Sequence, residues 1–425
     1  MSVIIPILKS WWWLILPVVL YFPARFLYFW WLNWDVWYEE KKWTILEIIP
    51  PAEILKPFRA MEDIFNRLWA FYDFPDWRKK WCEGEPTFGG GLWFSFELLS
   101  FEGEVHFYLR IPKDSEKMVE SIIHTHYPET EIFETNDYVQ NVPADIPNKE
   151  YDFWGEDYVL VKDYVYPIRT YKFFEIKPEE TKVEKKIDPF SSLMESLVNL
   201  KEGEQFWFQI IAIPILDEVL PWTKRGRAKA DEIVKRLGKA KDKSIAGETA
   251  RTVLLKDYVP FEPEKKKEEI IPSEMKLTPG EKQILEAVED KISKRGFKVS
   301  MRSLYIFKRG SQFPNRKTIT RAYLSHFGVE NLNSMKHWGE TKTEVKYFFP
   351  KIRTFWRKRD IFERYIERVP AKSPNSIGGT LILNSEELAT IFHLPAEAGN
   401  LPSGVSRVSF KKGGPPPSIP TGKRE

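Results

Sequence analysis

From Trp11 to Trp34 the chain reads WWWLILPVVLYFPARFLYFWWLNW, an apolar run in which Arg25 is the one side chain charged at neutral pH. A helix crosses a bilayer with about 20 such residues. Trp13 and Trp30 are 17 residues apart, which at ~1.5 Å per residue is roughly one hydrocarbon thickness. Trp11, Trp12 and Trp13 on one side and Trp30, Trp31 and Trp34 on the other therefore read as interfacial belts. Trp and Tyr crowd the exit where a signal peptide would have small residues, so a retained single-pass anchor is expected. Lys9 stands alone before the run, whereas Arg25, Lys41 and Lys42 lie toward its end, which places the body on the cytoplasmic side of the cell (inner) membrane.

After Trp43 the period changes. TILEII (Thr44 to Ile49) reads as a strand ended by Pro50-Pro51. Met61, Ile64, Phe65, Leu68, Trp69 and Tyr72 recur at helical spacing. LWFSFELL (Leu92 to Leu99) and EVHFYLRI (Glu104 to Ile111) flank a Glu102-Gly103 turn, and the second alternates strictly, with Val105, Phe107, Leu109 and Ile111 on the inner face. Asp114 can cap a helix carrying Met118, Val119, Ile122 and Ile123, and TEIFET follows. This is the β-α-β-β-α-β order of a ferredoxin-like unit.

A second, irregular unit is expected to follow. It has strand material from Tyr158 to Phe174, a helix opened by Asp188-Pro189, the buried strand QFWFQIIAI (Gln205 to Ile213), a capping box at Thr278 and Glu281, and a strand from Phe297 to Phe307. The fold class expected is α+β: a transmembrane helix, then tandem ferredoxin-like modules. The boundaries are an anchor over 1–38, a first module over 39–145, and a second over 151–380 with a charged insertion at about 215–277 and a basic region at 291–359. A Pro/Gly-rich C-terminal segment covers 381–425.

Composition adds two constraints. One cysteine, Cys82, in 425 residues excludes a disulfide framework. Charge is segregated: Glu281 to Lys372 holds 22 Lys+Arg against 10 Asp+Glu in a chain of net charge +3. Lys291, Lys294, Arg295, Lys298, Arg302, Lys308, Arg309, Arg316, Lys317 and Arg321 follow one another without an intervening acid, a pattern that attracts phosphate backbones, anionic lipid or an acidic partner. Arg353, Trp356, Arg357, Lys358 and Arg359 add a basic-aromatic cluster suited to base stacking.

Catalytic patterns are missing. There is no G-x-x-x-x-G-K-[ST] for nucleotide phosphates, Gly89 to Gly91 precede a strand, and Glu83 discourages a Cys82 thiolate. His124-x-His126 and His106 read as exposed polar positions, and His326 and His337 have no carboxylate at useful spacing. No enzyme activity and no cofactor are expected.

LTPGEKQILEAVEDKISKRGFKVSMRSLYIF, LILNSEELATIFHLP (Leu381 to Pro395) and RVSFKKGGPPPSIP (Arg407 to Pro420) resemble the region just ahead of the motor in membrane-anchored ATPases of type IV secretion and conjugative DNA transfer. EVHFYLRIPKDSEKMVESIIHTHYPETEIF is similar to the N-terminal part of those proteins. In that family the proline-rich tail leads into a P-loop domain, and here the sequence stops at Glu425. The resemblance implies a non-catalytic membrane platform to which a separately encoded P-loop ATPase docks, with a matching homo-oligomer plausible for a ring-forming partner. The alternative expectation is a membrane-tethered protein that binds DNA non-specifically through the basic surface.

Overall fold

A computed structural model of the chain describes residues 4–50, 57–72, 76–83, 92–173, 189–218, 220–234, 278–369 and 381–395, with side chains from Leu16 onward. The strands are β1 (Trp43–Ile49), β2 (Phe94–Phe101), β3 (Glu104–Pro112), β4 (Glu131–Thr135), β5 (Tyr151–Leu160), β6 (Glu204–Pro214), β7 (Gly296–Lys308), β8 (Met335–His337) and β9 (Leu381–Asn384). They form one antiparallel sheet in the order β4-β1-β3-β2-β6-β7-β5-β8, with β9 also on β7.

The order β4-β1-β3-β2 is the one a βαββαβ unit generates, and β8-β5-β7-β6 repeats it. The halves are not separate modules. β2 and β6 pair from Phe94↔Ala212 to Phe101↔Gln205, so the sheet runs unbroken across the junction. The long β7 shares its other edge between β5 (Met301 to Lys308) and β9 (Gly296 to Val299). At the head of what was expected as a separate C-terminal segment, Leu381–Asn384 is thus a strand of the sheet, and Ser385–Ile391 follows as a buried helix.

Period-two alternation sends side chains to two cores. One face carries Leu46, Phe96, Leu98, Phe107, Leu109, Phe208 and Met301 under α2 (Pro57–Leu68), α3 (Glu116–His126), α4 (Pro189–Val198), α7 (Ile319–Ser325) and α9 (Ser385–Ile391). Phe65, Phe190, Tyr323 and Phe392 come from those helices, and residues of both halves share this core. Three further helices, α1 (Ile4–Trp31), α5 (Trp222–Val234) and α6 (Pro279–Ser293), complete the described set with α8 (Pro350–Ile366). The opposite sheet face packs Ile45, Leu99, Tyr108, Trp207, Leu304 and Ile306 against Ile361, Phe362 and Tyr365 of α8. Tyr108 and Arg110, which alternate with the inner row Val105, Phe107, Leu109 and Ile111, are therefore buried as well.

The transmembrane part of the expected fold is not supported. α1 is 28 residues long, but among the described residues no helix is long and apolar enough to cross a membrane. α1 contains Pro17, Pro23 and Arg25, and its last turn is made of Tyr28, Phe29, Trp30 and Trp31, whose Trp and Tyr rings are less apolar than Leu or Ile. The strand expected from Tyr158 to Phe174 lies instead at Tyr151–Leu160, and Tyr171–Phe173 is a turn of 3-10 helix. The tail GGPPPSIP, Gly89 to Gly91 and residues 235–277 of the expected charged insertion lie outside the described residues.

Candidate functional site

Cross-strand register builds a polar row through the middle of the sheet. Tyr108 pairs with Glu97, Glu97 with Gln209, Gln209 with Arg302 and Arg302 with Asp157, across β3, β2, β6, β7 and β5. Glu97, Gln209 and Arg302 are fully buried. A charge so placed persists only when it is paired, and the end of α8 supplies the partners. Arg368, held in the left-handed region at φ 52°, donates from Nε to Glu97 Oε1 at 2.9 Å and from both terminal nitrogens to Asp137 at 2.7 and 2.8 Å. Glu97 also accepts from Ser95 Oγ (2.7 Å), Tyr138 OH (2.7 Å) and Gln209 Nε2 (3.0 Å). Beside it, Arg364 donates to Asp157 Oδ2 at 3.0 Å, and Arg302 donates to the carbonyls of Arg364 and Val369.

The electrostatics follow from this burial. Desolvation pushes Arg302 down to about 10, with Arg364 adding to the effect and Asp157 opposing it. Burial alone would lower Arg368, but Glu97, Tyr138 and Asp137 hold it well above its usual value. Burial would raise Asp137, yet the hydrogen bonds and charge of Arg368 keep its carboxyl below the ordinary range. Tyr138 and Tyr365 are pushed up by burial and by Glu97. The row is a keystone that clamps both halves of the sheet under α8, and Tyr38, just after α1, donates to the Glu367 carbonyl beside it.

The ten cations from Lys291 to Arg321 do not share a face. β7 alone, at ~3.3 Å per residue, separates its two ends by about 40 Å. Lys291 is buried with Nζ 3.0 Å from Glu387 and from the Ile382 carbonyl. Lys294 bridges Glu62 and Glu386. Arg295 covers the Trp69 ring at 4.0 Å, and Lys298 lies between Ile213 and Ile382 on the neighbouring strands. Arg302 belongs to the buried row. Arg309 pairs with Asp152, Arg316 with Glu204, Lys317 with Glu344 and Arg321 with Glu156. Lys308, at the far end of β7, is exposed near the Tyr151 ring.

The basic-aromatic cluster is likewise divided. Lys358 bonds Asp152, Arg357 the carbonyls of Gly339 and Lys342, and Arg359 those of Ala144 and Ile146. These contacts fix the entrance of α8, which the sequence did not single out. Tyr347, Phe348 and Phe349 there are 75%, 82% and 76% exposed, and Ile352 and Trp356 extend the apolar surface. Phe348 and Phe349 have φ of 49° and 52°, a conformation that costs bulky residues about 1–2 kcal/mol each. Pro350 then opens the helix at its favoured position. Three aromatics ahead of a proline, flanked by Lys346 and Lys351, are the signal that the sequence does offer.

The remaining candidates are bland. His106, expected on a solvent face, is half-buried with Nδ1 2.7 Å from Glu47. Burial lowers His126 and His337. Cys82 is exposed. Among the described residues no cluster of His, Cys, Asp and Glu is arranged to hold a metal ion. Arg25 lies over the Trp81 ring, and Trp30 and Trp31 are exposed. The side chains of Trp11, Trp12, Trp13 and Trp34 lie outside the described ones.

None of the curated proteins matches this chain. The family model for a domain of unknown function, DUF8128, matches residues 91–403, which span the sheet from before β2 to beyond α9. The chain belongs to the DUF8128 family.

Proposed function

We propose that the chain is a non-catalytic platform that docks a separately encoded P-loop ATPase in a type IV secretion-like machine. The observation that carries this reading is the entrance of α8. Large apolar side chains are held outward there on strained backbone, above a base locked by Lys358, Arg357 and Arg359. Exposed clusters of this kind mark interaction surfaces, and aromatic anchors dominate protein interfaces. Lys346, Lys351 and Arg353 are the charges of this projection, so it fits a partner pocket that is apolar with an acidic rim. The sheet behind it is a rigid base, and the sequence resemblance supplies the class of partner. A nucleic-acid surface on the Lys291 to Arg321 cations is less favoured, because their ion pairs leave little charge for phosphates. The test is co-purification from detergent with the P-loop ATPase encoded nearest to this gene. The wild-type chain is expected to retain it, and Phe348→Asp with Phe349→Asp to release it. Equal retention by both chains, or none by the wild type, would refute the reading.

A further inference from the structure

α1 leaves an apolar surface in need of a cover. Val18, Val19, Leu20, Tyr21 and Phe22 are consecutive and 50% to 69% exposed, and Phe26, Leu27, Trp30 and Trp31 continue the surface. At 3.6 residues per turn, consecutive positions point all round a helix, so one protein partner covers only a fraction of them, whereas a fluid apolar medium covers all. A segment of the body joins this surface. Asp76 Oδ1 accepts from the Lys79 amide at 2.8 Å and starts a short helical turn ending at Glu83. Trp81 of that turn meets Phe29 with ring centroids 4.7 Å apart, and its carbonyl accepts from Tyr28 OH at 2.7 Å. The Arg25 guanidinium is 5.5 Å from the Trp81 ring centroid. Trp77 packs on Trp81 yet remains 73% exposed, next to the exposed Arg78.

We propose that the Asp76–Glu83 turn and the C-terminal half of α1 together form a contact surface for the boundary between headgroups and acyl chains of an anionic phospholipid bilayer, the apolar side chains of α1 reaching the acyl chains and the turn lying among the headgroups. Trp and Tyr rings with a polar edge favour that boundary, and cations beside them favour anionic lipid. A second copy of the chain suits this surface poorly, since it would cover only part of side chains that point all round the helix. The proposal requires no crossing of the bilayer. It uses none of the α8 residues and stands apart from ATPase docking.

The native Cys82, exposed within the same turn, provides the probe. The full chain carrying an environment-sensitive fluorophore on Cys82 is mixed with phosphatidylcholine vesicles with or without phosphatidylglycerol. The expected result is a blue shift that needs phosphatidylglycerol and weakens with salt, together with flotation of the protein. Arg78→Gln should lower partitioning about fivefold, the effect of one cation at such a surface, and Trp77→Ala should reduce the shift. Flotation with unchanged fluorescence would overturn the role of the turn while leaving lipid contact by α1. Failure to float would overturn both. A shift that grows with protein concentration without vesicles would overturn the proposal in favour of self-association.

Discussion

Replacing Arg368 by Met would remove the cation that holds the two halves of the sheet at their junction. Arg368 is 1% exposed and makes its ion pairs with Glu97, which is wholly buried, and with Asp137. Without it, Glu97 keeps only the neutral donors Ser95, Tyr138 and Gln209. A buried charge left without its counter-ion costs about 3–5 kcal/mol. Glu97→Leu should cost a similar amount, because Gln209 and Tyr138 then lose an acceptor and Arg368 keeps Asp137 as its remaining ion pair. The double variant removes both charges at once and should recover at least about 2 kcal/mol of the summed losses, since replacing a buried pair by apolar side chains is often neutral. Urea denaturation of the four proteins, followed by near-UV circular dichroism, measures the coupling. Losses below about 1 kcal/mol for Arg368→Met, or strict additivity in the double variant, would refute the keystone reading.

Three other perturbations follow from the same structure. Asp137 has a depressed carboxyl pKa, so its contribution is complete above the unfolded value of about 3.9 and is lost as pH falls through the lower folded value; the acid limb of stability should flatten in Asp137→Asn, and an unchanged limb would contradict the pairing. Lys298 has its pKa lowered by burial beside Ile213 and Ile382, so its charged form disfavours folding below the folded pKa. Lys298→Met should stabilise the chain by about 1 kcal/mol at neutral pH, with the gain shrinking as pH rises toward the normal lysine value, and calorimetry showing a lower Tm would contradict this. Gly103 sits at φ 97°, and an added Cβ would lie 2.6 Å from the Val198 carbonyl oxygen; Gly103→Ala should cost about 1–3 kcal/mol in urea denaturation, and a neutral effect would show that the turn relaxes freely.

What the sequence disclosed was local. The stripe Met61, Ile64, Phe65 and Leu68 is the buried face of α2. The capping box at Thr278 and Glu281 is present as read, and the alternation Val105, Phe107, Leu109, Ile111 is one core-facing side of β3. These signals are carried by neighbours in the chain. The β2–β6 pairing that fuses the halves and the β9–β7 pairing that recovers the C-terminal region join distant segments, and no local period records them. β5 begins at Tyr151, ahead of the strand expected from Tyr158, and the part before Tyr158 carries Asp152, Glu156 and Asp157, which break the apolar alternation. In the structure they meet Lys358, Arg321, Arg302 and Arg364. The Lys291 to Arg321 run reads as a surface in the sequence because a count of charges does not show which of them face a carboxylate in the fold. The exposed aromatics before α8 were hidden by the converse rule, since hydrophobic side chains are ordinarily assigned to a core.

The platform reading is tested most directly by placing a photo-reactive amino acid at Phe349 and irradiating living cells that express the full chain with its neighbouring genes. The account predicts a covalent adduct with a protein that contains a P-loop, absent when the cross-linker is moved to the buried Phe362. An adduct with lipid or nucleic acid alone, or with no partner protein at all, would contradict it.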